Sequence, residues 1–334
     1  MAPTRVTLIG AGPLGRATLP HLLGRGDEVT LVTRSGTALP GTAPFAGDVT
    51  VPGSLNGAPE ADVVLVVCNF PYGRWPRDWP PAIAQVLDLA ARDAARVVLA
   101  GSLYSYARGP RGPMRQDEPL VDTWVNGRMR RIVWEQVLEA RAAGRIAGAV
   151  EVRGSDYVGP ATGPSAHGGD RALLPALEGR TVRPLGDPDL PHTWTATADF
   201  GRLLARAAHD PAMEGRAWHV PSAPAVSQRR LVTMALESIG RHDAPRISPV
   251  PTALLRLMGV FSPDSRRLAE ATYQFTTPWL VDDSPAREEL GETHTPLEES
   301  LRAAMEHLRQ EQGRSGSRRG GPRREEHRPP VTAG

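Results

Sequence analysis

A short apolar run near the N-terminus, Val6-Thr7-Leu8-Ile9, passes directly into Gly10-Ala11-Gly12-Pro13-Leu14-Gly15. The run reads as a buried strand, and the residues from Leu14 onward have helical periodicity. The three glycines have separate physical tasks at such a junction. Gly10 permits the tight turn, Gly12 lets the backbone approach a pyrophosphate, and Gly15 lets the helix sit close on the strand. The helix N-terminus then offers free N–H groups and the positive end of its dipole to phosphates. Gly10, Gly12, Pro13, Leu14 and Gly15 are therefore the expected cradle of a dinucleotide.

The next elements extend the same reading. Thr4–Gly10, Glu28–Thr33, Ala61–Cys68, Arg96–Ala100 and Gly148–Arg153 read as strands. Helical patterns fall between them at Leu14–Gly24, Pro81–Arg92 and Met129–Ala142. Strands alternating with helices predict an α/β, Rossmann-type doubly wound parallel sheet. After about residue 160 the chain becomes rich in Pro and Gly. Its short elements (Ala172–Leu177, Ala198–Ala208, Gln228–Ile239, Leu254–Leu257) are separated by irregular stretches. The expected division is a dinucleotide-binding domain over 1–160 with later elements interleaved, a smaller substrate lobe over 161–308, and a basic tail over 309–334.

Charge belongs mainly to that tail. Seven Arg against three Glu from Arg309 onward exceed the excess of +2 on the whole chain, which leaves the body weakly acidic. The segment Gly313–Gly334 has almost no apolar residues and is expected to be disordered. A solvated appendage is favoured for it over a specific nucleic-acid partner. The single cysteine, Cys68, excludes a disulfide framework and a multi-cysteine zinc site. His167, His192 and His219 lack metal-ligand spacing, so no metal is expected. No apolar run is long enough to span a membrane, and Met1–Arg5 leads straight into the first strand. The expectation is a soluble cytoplasmic protein with a small-molecule substrate, and with homodimerisation left open.

The second strand ends Val32-Thr33-Arg34-Ser35-Gly36. An acid at this place binds a ribose 2′-hydroxyl, whereas an arginine accommodates a 2′-phosphate. With Arg34 here and no acid beside it, NADP is expected in preference to NAD.

Further segments match a family in order along the chain. They are Gly47-Asp48-Val49, Val97-Val98-Leu99-Ala100-Gly101-Ser102-Leu103-Tyr104-Ser105-Tyr106, and Arg153-Gly154-Ser155-Asp156-Tyr157-Val158-Gly159-Pro160. Thr193–Leu204 and Gly215–Val220 follow in the same order. Over roughly residues 4 to 308 the chain resembles the extended short-chain dehydrogenase/reductases, in the NAD-dependent epimerase/dehydratase-like branch. The resemblance implies that Asp48 bonds adenine and that Ser102 lies beside the reacting carbon. Independently of the resemblance, Asn69-Phe70-Pro71-Tyr72 follows the third strand, so Asn69 is expected to border the cofactor ribose, with an ordinary loop as the competing role.

The departure from the family is equally specific. Its members use a Tyr-x-x-x-Lys pair, and this chain contains no lysine. Anchoring on Glu135 places Arg131 where the Lys would be and Gly127 where the Tyr would be. A guanidinium can bind a ribose or phosphate but is a poor proton relay, and Gly127 supplies no acid. Replacement acids are sought at the C-terminal ends of strands, where such sheets bind ligands: Tyr104, Tyr106 and Tyr157, with Ser102 as an orienting hydroxyl. For each tyrosine, packing in the core is the competing role. The tryptophans Trp75, Trp79, Trp124, Trp194 and Trp279, read as loop residues of the cleft, suggest an apolar or aromatic substrate. The leading expectation is an NADP-dependent oxidoreductase acting on a specialised metabolite. A non-redox isomerase, lyase or cyclase, and a dinucleotide-sensing binding protein, are the alternatives.

Overall fold

The computed structural model describes residues 3–106, 112–121, 124–163 and 165–319. The N-terminal half alternates as its sequence predicts. It runs β1 (Arg5–Ile9), α1 (Pro13–Gly24), β2 (Glu28–Thr33), β3 (Thr42–Ala46), β4 (Val63–Val66), α2 (Trp75–Arg92), β5 (Arg96–Ser102), α3 (Val125–Ala142) and β6 (Gly148–Gly154). Shorter pieces follow: β7 (Asp156–Val158), α4 (Asp170–Leu177), β8 (Pro191–His192), β9 (Trp194–Ala196), α5 (Thr197–Ala207), β10 (Ala217–His219) and β11 (Val226–Ser227). Helices α6 (Gln228–Glu237), α7 (Thr252–Phe261), α8 (Pro263–Ala271), α9 (Ser284–Leu290) and α10 (Leu297–Arg319) complete the order.

Seven strands form one parallel sheet in the order β3-β2-β1-β4-β5-β6-β10. Strand order reverses between β1 and β4, so a crevice opens at their C-terminal ends. The sheet is covered on both faces. One apolar core joins Val6, Leu8, Leu31 and Leu65 to α1 and α5 through Leu19, Leu22, Phe200 and Leu204. The other packs Ile9, Val64 and Leu99 under α2 and α3 through Ile83, Val86, Val133 and Val137. A third core lies among α4, α6 and α10.

Several boundaries differ from the sequence reading. Strand β3 was not expected, because Thr42-Ala43-Pro44-Phe45-Ala46 lacks alternation. Among the described residues it pairs only with β2, and an edge strand tolerates the missing N–H of Pro44. Helix α2 begins at Trp75 rather than Pro81, since buried Trp75 and Trp79 are one turn apart and anchor its first turns. Helix α10 continues through Arg319, past residue 309 where the tail was expected to begin. Its buried stripe of Leu297, Leu301, Ala304, Met305 and Leu308 explains its docking. Residues 320–334 of the expected tail lie outside the described residues. No described helix is long and apolar enough to cross a membrane.

Candidate functional site

The junction of β1 and α1 has the geometry its glycines predict. Gly10 adopts φ +116°, and a Cβ there would lie 2.9 Å from the backbone nitrogen of Cys68, at the end of β4. A Cβ on Gly15 would collide with the carbonyl of Gly10, so only glycine lets α1 approach β1 this closely. Gly12 has open space where its side chain would be. It also caps α1 with no side-chain hydrogen bond, leaving the helix N-terminus available to an outside acceptor.

From this junction a cavity of about 670 Å³ runs along the strand ends. That volume lies within the usual range for a small-molecule site. Pro13 and Leu14 border it on one side. The chain after β4 contributes Cys68, Asn69, Phe70 and Tyr72, and the end of β5 contributes Ser102 and Tyr104. Asp156 and Tyr157 come from β7. Helix α8 adds Asp264, Ser265 and Leu268 to the lining, and Asp264 Oδ1 accepts the Gly73 N–H at 2.6 Å.

The polar groups inside are unequal. Ser102 Oγ is buried with no hydrogen-bond partner. Tyr104 and Tyr72 share a hydrogen bond between their hydroxyls at 2.5 Å, with rings in edge contact. Burial pushes Tyr72 and Tyr157 up to about 12 and raises Tyr104 well above the usual phenol value. All three are protonated at neutral pH and can act as donors. Asp156 Oδ2 accepts from His192 Nε2 at 2.8 Å; burial pushes the carboxyl up, but that bond and the charges of His192 and His167 together hold it below its ordinary value. Asn69 Oδ1 accepts the Phe70 N–H at 2.9 Å.

Two expected site residues lie elsewhere. Tyr106 does not line the cavity. Its hydroxyl meets His219 Nε2 at 2.8 Å and Arg153 Nη1 at 2.7 Å in a fully buried network beside β6 and β10. The tight turn Leu103–Ser105 after β5 separates it from Tyr104. Arg131 is also absent from the cavity wall, its Nη1 bonded to Glu135 one turn along α3 at 2.6 Å. Arg130, which the sequence reading passed over, lines the cavity instead. One residue along a helix turns the side chain by about 100°, and that rotation selects Arg130. At Gly127 a Cβ would collide with the Tyr104 carbonyl and lie 2.8 Å from Trp124 Nε1, so the position has no room for any side chain.

On the outer side, Arg34 is exposed at the end of β2. Asp48 uses Oδ1 for the Thr50 N–H at 2.9 Å and hydroxyl at 2.7 Å, bonds that hold its carboxyl below the usual range. Of the five tryptophans expected in cleft loops, Trp279 alone is a loop residue that lines the cavity. Trp75 and Trp79 belong to α2, Trp194 to β9, and of the five only Trp75 and Trp279 line the cavity. Among the described residues no three His, Cys, Asp or Glu side chains are placed to hold a metal ion.

No protein-family model matches this chain, and no curated protein does. Solved structures match it closely in shape. The Bordetella bronchiseptica enzyme WbmH in complex with NAD+ superposes with a TM-score of 0.70 at 19% identity, covering 92% of this chain and 98% of that one. MoeE5 in complex with UDP-glucose and NAD gives 0.75 at 20% identity, over 92% and 99%. The dTDP-glucose 4,6-dehydratase of Bacillus anthracis in complex with NAD gives 0.74 at 12% identity, over 93% and 98%. The chain has the Rossmann-type doubly wound fold of these structures.

Proposed function

We propose that this chain is an oxidoreductase that binds a nicotinamide dinucleotide and acts on a small organic molecule in the 670 Å³ cavity. The observation that carries the reading is the glycine junction opening onto a cavity that also contains the unpartnered Ser102 Oγ. The residues fit such a cofactor. Gly12 leaves space for a pyrophosphate at the uncapped N-terminus of α1, and Pro13 and Leu14 continue into the cavity. The NAD held by WbmH and MoeE5 supports a nicotinamide dinucleotide. Arg34, with no acid beside it, supports NADP as the preferred form.

When bound, the cofactor supplies reversible hydride exchange with a carbon of the substrate. The chain's own groups orient and protonate. Ser102 Oγ has a free hydrogen-bonding capacity that a substrate oxygen satisfies. Tyr104 holds its proton for a substrate oxygen, and the hydrogen bond from Tyr72 can replace that proton once it is given up, so the pair is the candidate acid in place of Gly127. Tyr157 is a second phenol on the same wall. Phe70, Tyr72, Tyr104 and Trp279 give the substrate an aromatic surface.

The closed position at Gly127 favours one further reading, a non-redox isomerase, lyase or cyclase using the same tyrosines. Absorbance at 340 nm during turnover separates the two: a net change marks oxidoreduction, and an unchanged signal marks isomerisation or elimination. Calorimetry tests the cofactor. NADPH should bind more tightly than NADH, and Arg34→Ala should weaken NADPH by about tenfold, as expected for loss of a charge-assisted bond. Equal affinity for both cofactors in the unmodified protein overturns the NADP assignment.

A further inference from the structure

Helix α7 turns its apolar side chains toward solvent. Six large hydrophobic residues are exposed among the described residues, and five of them are on this one helix: Leu254, Leu257, Met258, Val260 and Phe261. Leu254, Leu257, Met258 and Phe261 recur at the i, i+3, i+4 and i+7 spacing of a single face, and Phe261 projects furthest, at 85% exposed. The opposite side is the one held by the protein. Leu255 is buried in the third core, and Gly259 is buried where α7 crosses α8. A Cβ on Gly259 would lie 2.9 Å from Arg266 Cα, so the two helices meet closely there. A surface helix ordinarily has the reverse pattern, with its polar residues outward.

The charges near this face have one sign. Between Asp243 and Asp264 the chain contains Arg246 and Arg256 and no Asp or Glu. Arg256 is exposed on α7 and joins no ion pair among the described residues. Arg266 is exposed as well, and its Nε donates to the Gly259 carbonyl at 3.0 Å, which keeps its charge close behind α7.

We propose that α7 docks on the surface of an anionic lipid bilayer, lying in the interface with Leu254, Leu257, Met258, Val260 and Phe261 toward the acyl chains and Arg256 at the headgroups. Such a surface asks only for apolar area and positive charge, and this face offers those two things. Its five side chains carry no strong hydrogen-bonding group that could fix register with a folded partner, whereas protein interfaces are laced with hydrogen bonds. A second copy of the chain fits less well. The face of a ten-residue helix is roughly 15 Å long and 10 Å wide, well short of the about 800 Å² per partner that a stable dimer needs. Symmetric pairing would also set guanidinium against guanidinium, with no acid on α7 to meet them. Helix α8 begins two residues after Phe261 and supplies Ser265 and Leu268 to the cavity, so docking through α7 brings the cavity wall close to the membrane. The proposal concerns attachment and is independent of the cofactor and substrate readings.

The test is co-sedimentation of the full chain with vesicles of phosphatidylcholine alone and of an equimolar mixture with phosphatidylglycerol. The chain should bind the mixed vesicles, and less so as salt is raised. The double substitution Leu257→Ser and Phe261→Ser should lower the partition coefficient about tenfold or more, and Arg256→Gln about fivefold. These side chains are exposed, so the melting temperature should hold. Val51→Ser, which alters the exposed apolar residue outside α7, should leave partitioning unchanged. No binding to the mixed vesicles, equal binding to the neutral ones, or an unchanged partition coefficient in the double variant overturns the proposal. A lower melting temperature in that variant overturns it too, since the face would then be packed within the fold. Sedimentation velocity supplies the rival outcome: a dimer that the double variant dissociates, without vesicle binding, assigns the face to a second copy instead.

Discussion

Tyr104 and Tyr106 lie two residues apart at the end of one strand, yet they belong to different regions of the molecule. Tyr104 faces the cavity, and among the described residues its hydroxyl meets only that of Tyr72. Tyr106 is sealed in a buried network, its hydroxyl also 3.4 Å from the Gln116 carbonyl, a longer contact than the one to His219. Arg153 donates to the Tyr106 oxygen, Tyr106 donates to His219 Nε2, and His219 donates from Nδ1 to the Asp282 carbonyl at 2.8 Å. Arg153 is in turn paired with Glu151 at 2.7 Å. Burial raises the pKa of both phenols, so acidity does not distinguish them. What distinguishes them is an open bond. A phenol whose donor and acceptor capacities are both filled by the protein is structural, and one with a vacancy facing a cavity is available for chemistry.

The sealed region should be the one that carries stability. Arg153→Met would leave Glu151 buried without its cation and remove a donor from Tyr106. Breaking a buried pair from one side costs about 3–5 kcal/mol, so urea denaturation should show a loss of that size. NADPH affinity per folded molecule should not change, because the network does not line the cavity. A loss below about 1 kcal/mol would break the comparison, since it would mean that the network is not a structural unit.

Acid should attack the same region through His219, and the third core through His167, which packs against Phe275 there. Burial lowers both His219 and His167 to about 4. A histidine whose folded pKa is depressed stabilises the fold above its unfolded pKa of 6.5, and that contribution is lost as pH falls toward 4. Below 6.5 the unfolded chain takes up the proton while the folded chain does not, a loss of roughly 3 kcal/mol per histidine across the window. The neutral tautomer of His219 is also the only one able to accept from Tyr106 while donating to Asp282. Urea midpoints measured between pH 7.5 and 4.5 should therefore fall steeply. A flat profile would show that His219 is charged in the fold and that the hydrogen-bond assignment is wrong.

The two regions were not equally legible in the sequence. The strand, glycines and helix from Val6 to Gly24 could be read directly, because each step depends on residues adjacent in the chain. The site beyond them depends on contacts between distant segments. Tyr72 reaches Tyr104 across 32 positions, and no local pattern announces that bond. Tyr106 meets His219 across 113. Arg130 was missed although a signal existed. Gly127, Arg130, Val133, Trp134 and Val137 are all buried at spacings of three and four along α3, so helical periodicity placed Arg130 on the inner face. Aligning by motif toward Glu135 drew attention to Arg131 and away from that rotation. Helix α10 was hidden similarly, its apolar stripe obscured by the polar composition of the segment around it.

The smallest effect gives the sharpest form of the comparison, because the same change is made at both tyrosines. Tyr106→Phe leaves Arg153 Nη1 and His219 Nε2 facing each other with no oxygen between them. Buried groups stripped of a partner cost about 1–3 kcal/mol. Tyr104→Phe removes one hydroxyl pair at a cavity wall, where the Tyr72 hydroxyl can find water or substrate, so about 0.5–1.5 kcal/mol is expected. Turnover should show the reverse order. If Tyr104 is the acid, its phenylalanine variant should lose about 10²–10⁴-fold, while folded Tyr106→Phe should retain most of its activity. Neither change should alter NADPH affinity, since the glycine junction lies at the other end of the cavity. Equal losses of turnover would erase the distinction between a vacant and a satisfied phenol. A larger stability loss at Tyr104 would show that its bond to Tyr72 is part of the scaffold.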